Sequence, residues 1–243
     1  MVHVADIIDN WLPYLTVAVL LGGVIWRIRT WLAGPIPRLA LTLFPASSSG
    51  FGLGKGLAKE ILFFRSLFRG DKALWTGTWV FHATLLLILA GHFRLVRDVP
   101  ALWRALRLND GQVDLFSAAV GGAAGLILLA TGLYLLARRV LLTRVREVSR
   151  VEDFGVLALL LAVVLTGDYL RFFTHFDLGQ SRAYFASLIR FAPIAPPRQP
   201  LFLVHFTLAQ TLLMVVPFSK FLHIPGVFFA RPLLQMTAKE SVA

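Results

Sequence analysis

Residues 76–96 read TGTWVFHATLLLILAGHFRLV, and residues 201–223 read LFLVHFTLAQTLLMVVPFSKFLH. Each stretch is long and apolar enough to cross a bilayer as a helix, which takes about 20 residues. Each also carries two histidines, His82 and His92 in the first and His205 and His223 in the second. Ionisable side chains at membrane depth are expensive and are kept where they serve a function. A neutral imidazole can ligate a metal through one ring nitrogen. Two histidines on each of two helices therefore make two bis-histidine sites, one above the other across the membrane.

Working outward, three further segments qualify as spans: roughly 11–30, 113–137 and 153–173. The expected fold is all-α, a five-helix polytopic membrane bundle forming one domain over 1–243. Only 15% of the residues are charged and 57% are hydrophobic, whereas a soluble domain carries about a quarter charged. Trp11, Trp26, Trp31, Trp75 and Trp79 fall near span ends, where interfacial aromatics belong. Gly121, Gly122, Gly125 and Gly132 in the third span permit close helix–helix approach.

The net charge of +11 does not indicate nucleic acid, because the basic residues flank the apolar blocks. Counting Lys and Arg on alternate sides gives 16 against 8. The excess places the N-terminus outside and the C-terminus in the cytoplasm, so the expected location is the inner (cytoplasmic) membrane. The N-terminus lacks the basic residues that open a secretory signal, and the first apolar run is read as a structural helix. In the first cytoplasmic loop, Leu57, Ile61, Phe64 and Phe68 recur at helical spacing among basic residues. This predicts an interfacial amphipathic helix over about 55–72; a docking ridge for a cytoplasmic partner is the alternative. The preceding glycines, Gly50 to Gly56, lack the ending of a phosphate loop and are read as a flexible connector.

There are no cysteines. Disulfides, thiolate zinc sites and cysteine-ligated clusters are excluded, as is the covalent attachment of c-type haem. A haem here would be held by coordination and packing alone, which makes two haems b the expectation. Antiparallel spans pair His82 with His223 at an inner iron and His92 with His205 at an outer one. Along straight helices the ligands would be about 15 Å apart on the second span and about 27 Å on the fifth. Pro217, between His205 and His223, can break the helix and absorb part of that mismatch. Gly91 would let a porphyrin edge approach the backbone, and Phe81, Phe93, Phe206 and Phe221 could line the rings. His3 and His175 read as interfacial. Two imidazoles fill both axial positions of an iron, so each haem would be low-spin and transfer electrons rather than bind a substrate. A transporter using the histidines as proton carriers is the rival reading.

Phe81-His82, Gly91-His92-Phe93, His205 with Pro217-Phe218-Ser219-Lys220, and His223-Ile224 resemble the gamma subunit of respiratory nitrate reductase, a di-haem cytochrome b. Ala119 to Ala123 and Arg138-Arg139 through Arg146 are similar to its third span and following loop. The resemblance runs from about 75 to 225 and carries haem ligation onto His82, His92, His205 and His223. The stretch Leu62 to Lys72 resembles a branch of that family, the M subunit of the Dsr membrane complex of dissimilatory sulfur metabolism. The implied role is electron transfer between the quinone pool and a cytoplasmic iron–sulfur subunit resembling the catalytic subunit of heterodisulfide reductase. Further implied partners are a second integral membrane subunit, a periplasmic multihaem cytochrome c and a periplasmic iron–sulfur protein. A haem-bearing anchor and relay without its own quinone site is the alternative, and a nitrate reductase gamma subunit a further one. The chain itself has no group suited to making or breaking a sulfur bond; it is an electron-transfer subunit of an oxidoreductase. One departure stands out: the nitrate enzyme's gamma subunit has a lysine implicated at its outer quinone site before the third span, and Asn109 to Asp114 contains none. Asp114 is the candidate there for bonding a quinone oxygen or taking its proton; a solvated residue near the helix start is the other reading.

Overall fold

The computed structural model describes residues 10–33, 50–174, 177–223 and 226. His3 and His175 lie outside them. All regular structure among the described residues is helical: α1 (Leu12–Ala33), α2 (Gly50–Phe63), α3 (Arg65–Gly70), α4 (Lys72–Val96), α5 (Pro100–Ala105), α6 (Asp110–Leu141), α7 (Thr143–Glu147), α8 (Val151–Phe173), α9 (Leu178–Ile189) and α10 (Pro200–Val215). Two 3₁₀ turns follow, Val216–Phe218 and Lys220–Leu222. The five expected spans correspond to α1, α4, α6, α8 and the Pro200–Phe218 stretch, and these five helices are long and apolar enough to cross a membrane. Their outward faces carry large apolar side chains, among them Leu21, Ile25, Leu86, Leu89, Phe93, Leu126 and Leu165. A helix satisfies its own backbone, so hydrocarbon is the surrounding that suits such surfaces.

Local chemistry sets the helix ends. Asn109 caps α6: its side chain accepts from Gln112 N at 2.9 Å while Gln112 Oε1 accepts from Asn109 N at 3.0 Å, a reciprocal capping box. At the start of α8, Asp153 accepts from Arg150 N at 2.9 Å and pairs with Arg139 at 3.4 Å. Two acids in that first turn also complement the helix dipole. Asp177 starts α9 by accepting from Gln180 N, ahead of Pro193, Pro196 and Pro197.

The expected amphipathic helix is two helices. Phe64 takes a left-handed conformation (φ 46°) between α2 and α3, and Glu60 holds the corner by accepting from Ser66 N and Oγ. The Gly50–Gly56 segment lies within α2 rather than forming a connector. No proline interrupts it, and glycine weakens a helix by about 1 kcal/mol per residue without forbidding it.

The described residues group into two compact units. One holds residues 10–18 and those between 77 and 214; the other holds 19–33, 50–76 and 215–223. In the second unit Gly23 receives Pro217, whose ring would overlap any Cβ at that glycine. Pro217 also ends the α-helix: α10 stops at Val215, and the extended Ser219 separates the two 3₁₀ turns.

In the first unit the glycine stripe of α6 seats α8. Gly121 lies under Arg171, Gly122 under Phe172, Gly125 against the Asp168 carboxylate and Gly132 under Leu161. Tyr134 covers Gly77, and Phe81 also reaches Gly132, so α6 is flanked by α4 and α8. A buried cluster of Leu170, Tyr184, Leu188 and Phe202 joins α8, α9 and α10, with Tyr14 of α1 packed on it. The Tyr14 hydroxyl donates to Leu188 O at 3.0 Å.

Candidate functional site

The second and fifth spans meet through their histidines. The rings of His92 on α4 and His205 on α10 have centroids 6.4 Å apart and planes inclined by 25°. That separation tests a haem directly. A metal–imidazole bond is about 2.0–2.1 Å, and a ring nitrogen lies about 1.2 Å from its ring's centre, so two imidazoles on one iron have centroids about 6.4–6.6 Å apart. The pair fits.

In both rings Nδ1 has a partner. His92 Nδ1 lies 2.8 Å from Ile88 O. A carbonyl only accepts, so Nδ1 carries the proton and the lone pair of the neutral ring sits on Nε2. His205 Nδ1 is 3.1 Å from Val163 O and 3.0 Å from Thr166 Oγ1. The Thr166 hydroxyl is within 2.8 Å of Ala162 O and donates to its own helix, leaving its oxygen to accept from Nδ1. Such contacts fix the tautomer and orientation of a ligating histidine and raise its basicity. Gly167 makes the space: a Cβ there would stand 3.0 Å from His205 Cε1.

α8 therefore supplies the cradle of His205, and α4, α6, α8 and α10 form a closed circuit of neighbours. Val163, Thr166 and Gly167 hold the His205 ring, and the sequence reading does not single them out. The available signal was a Thr-Gly pair followed by Asp168 and Arg171 inside an otherwise apolar span.

His82 repeats the pattern of His92, with Nδ1 at 2.8 Å from Thr78 O four residues earlier. His223 follows the second 3₁₀ turn, its Nδ1 at 3.1 Å from Lys220 O. His82 belongs to the first unit and His223 to the second. Since Val216–Leu222 is not α-helical, the straight-helix spacing used for the fifth span does not extend to His223. A Cβ at Gly91 would meet nothing within 4 Å, so the backbone beside His92 is open. Phe93 is 72% exposed, Phe81 is buried against Gly132, and Phe206 packs with Phe202, Tyr184 and Phe185.

Asp114 lies in the second turn of α6, well exposed, 3.6 Å from Arg94. Asn109 rather than Asp114 caps that helix. Arg94 also meets Asp98 at 3.3 Å, and Asp98 accepts from Arg182 at 2.7 Å and from the Trp103 indole at 2.7 Å. Burial disfavours ionisation of Asp98, but the Trp103, Arg94 and Val99 hydrogen bonds and the Arg94 charge outweigh it. Together they hold the carboxyl well below the usual carboxylate range. Among the described residues no three His, Asp or Glu side chains converge as a metal cage. A haem iron asks for only two protein ligands, and the residues present fit that group.

Residues 65–239 match the family model of the nitrate reductase gamma subunit. The chain belongs to that family. It is 31% identical over 253 residues to an Hdr-like menaquinol oxidoreductase cytochrome b-like subunit of Archaeoglobus fulgidus, covering 90% of this chain and 76% of that protein. The Archaeoglobus profundus protein of the same description is 26% identical, with the same coverage. The nitrate reductase gamma chain of Bacillus subtilis is 27% identical over 68% of this chain and 76% of its own length. The family match takes in His82, His92, His205 and His223, and it runs through the Thr166-Gly167 cradle as well.

Proposed function

We propose that this chain is the di-haem cytochrome b subunit of a membrane oxidoreductase, exchanging electrons between the quinone pool and a cytoplasmic iron–sulfur partner. The His92–His205 pair carries the reading: two imidazoles at the spacing of one six-coordinate iron, each with Nδ1 committed and Nε2 left for the ligand role. Bound there, haem b supplies an iron that changes valence by one electron. His92 and His205 would be the two protein ligands of that iron and would leave no position on it for a substrate, while Ile88 O, Val163 O and Thr166 hold their rings against rotation. His82 and His223 are proposed as the second ligand pair, from their antiparallel order in the sequence and their Nδ1–carbonyl contacts.

The N-out orientation from the charge count puts His92 and His205 near the outer face and His82 and His223 near the cytoplasm. Quinol or quinone would exchange electrons at the outer end. An iron–sulfur subunit of the heterodisulfide reductase type would dock on the basic cytoplasmic loops. The similarity to the Archaeoglobus cytochrome b-like subunits of an Hdr-like menaquinol oxidoreductase supports menaquinone as the quinone and such a partner. By the resemblance of Leu62 to Lys72 to the M subunit of the Dsr membrane complex, the complex would belong to sulfur metabolism, with a second integral membrane subunit, a periplasmic multihaem cytochrome c and a periplasmic iron–sulfur protein. Asp114 is retained as a quinone-site candidate, held by Arg94.

The test is a reduced-minus-oxidised visible spectrum of the purified chain, followed by addition of a menaquinol analogue. The reading expects b-type absorption at two haems per chain and reduction by the quinol. Haem that does not respond to quinol would favour a relay without a quinone site, and absent b-type absorption would remove the whole reading.

A further inference from the structure

We propose that the Arg171 guanidinium binds a propionate carboxylate of the haem held by His92 and His205. The inference rests on the haem reading above and adds a residue to it. Arg171 follows Gly167 by four residues, which places it about 40° around α8 and about 6 Å further along. It therefore occupies the same face as the glycine that receives the His205 ring, one turn nearer the Phe173 end. From there it crosses to α6, where Nη2 donates to Ser117 O and lies 3.1 Å from where a Cβ on Gly121 would be. The guanidinium thus bridges α8 and α6 immediately beyond the histidine cradle.

No carboxylate answers it among the described residues. Its partners are the Ser117 carbonyl and the charge of Arg94, which repels it. Arg94 already has Asp98 and Asp114, and Asp98 is shared with Arg182. Asp168, the nearest acid on the same helix, is turned against Gly125, and its Oδ2 is buried without a partner. A cation in a membrane span is kept where an anion or a functional group meets it. A ring centred between His92 and His205 carries two carboxylates on its rim, and a guanidinium fork recognises a carboxylate through two parallel hydrogen bonds. Arg171 fixes which way round the ring enters, and its charge raises the reduction potential of the iron by disfavouring the ferric state.

The test compares wild type, Arg171→Gln and Arg171→Lys in nanodiscs, by redox titration of the α-band and by haem transfer to apomyoglobin. In Arg171→Gln the His92/His205 haem should keep its low-spin spectrum, titrate at a lower potential than in wild type, and transfer roughly ten- to a hundredfold faster, the worth of a charged hydrogen bond. The other haem should be unmoved. Arg171→Lys should hold the potential near wild type, because the charge remains, yet release haem faster, because the fork is gone. If both variants bind and titrate that haem as wild type does, the inference is wrong while the haem reading stands. Effects that appear only in discs of anionic lipid would assign Arg171 to a lipid phosphate and also overturn it. A wild-type chain without haem at His92 and His205 would mean that the haem reading itself has failed.

Discussion

Gly167→Ala puts the histidine cradle to a quantitative test. The added Cβ would stand 3.0 Å from His205 Cε1, 3.5 Å from Nδ1 and 3.8 Å from Nε2. Carbon atoms rest at about 3.5–4.0 Å, so the imidazole must retreat by about 0.5 Å or more. It cannot do so freely, because Nδ1 is bound to Val163 O at 3.1 Å and Thr166 Oγ1 at 3.0 Å, both on the helix that carries Gly167. The ring either stretches both contacts or tilts away from its axial position. Overpacking of this kind costs about 1–3 kcal/mol, which is roughly a 5- to 150-fold loss of haem affinity at one site. Gly155→Ala is the control on the same helix: a Cβ there meets nothing within 4 Å, and alanine favours an open helix by up to about 1 kcal/mol. Haem per polypeptide by pyridine haemochrome, with transfer to apomyoglobin, reads the difference. If Gly167→Ala holds both haems as firmly as Gly155→Ala does, the cradle is not what positions His205.

Thr166→Val removes one acceptor from His205 Nδ1 and leaves Val163 O; the ring becomes less basic, and the potential of that haem should rise, with retention weakened by about 0.5–1.5 kcal/mol. Redox titration showing an unchanged or lower potential would contradict this. Gly125→Ala drives a methyl into the Asp168 carboxylate at the α6–α8 seam and should destabilise the protein by about 1–3 kcal/mol; Asp168→Ala in the same chain should restore most of the loss in detergent melting curves, and strictly additive effects would refute the contact. Asp98→Asn removes the charge and the Oδ2 acceptor shared by Arg94 and Arg182 and should cost about 1–3 kcal/mol at neutral pH. Because the folded carboxyl titrates below its unfolded value, its stabilisation is present above the unfolded pKa and fades as pH falls through the folded one. The gap between wild type and Asp98→Asn should therefore narrow in strong acid, and a gap that widens there would reverse the sign of the argument.

What the sequence made legible was the fold and the meeting of His92 with His205. Apolar runs are long enough to cross a membrane at five places, and a run of about 20 such residues is hard to mistake. His92 and His205 were readable because an imidazole has little reason to sit in hydrocarbon unless something binds it. Pro217 announced its own break. The Thr166–Gly167 cradle was hidden because threonine and glycine are ordinary in membrane helices, and only the position of His205 gives them a role. The corner at Phe64 was hidden for another reason: a left-handed phenylalanine has no local signature, and it depends on Glu60 reaching Ser66. α9 was obscured by the prolines that follow it, although Asp177 and Gln180 mark its start.

The central claim is most directly tested by counting haems in His92→Ala and His205→Ala beside wild type, by pyridine haemochrome on the purified chain. The account predicts two haems b in wild type and the same single haem in both variants, since either substitution empties the same iron site. Two haems retained in either variant, or none in wild type, would contradict it.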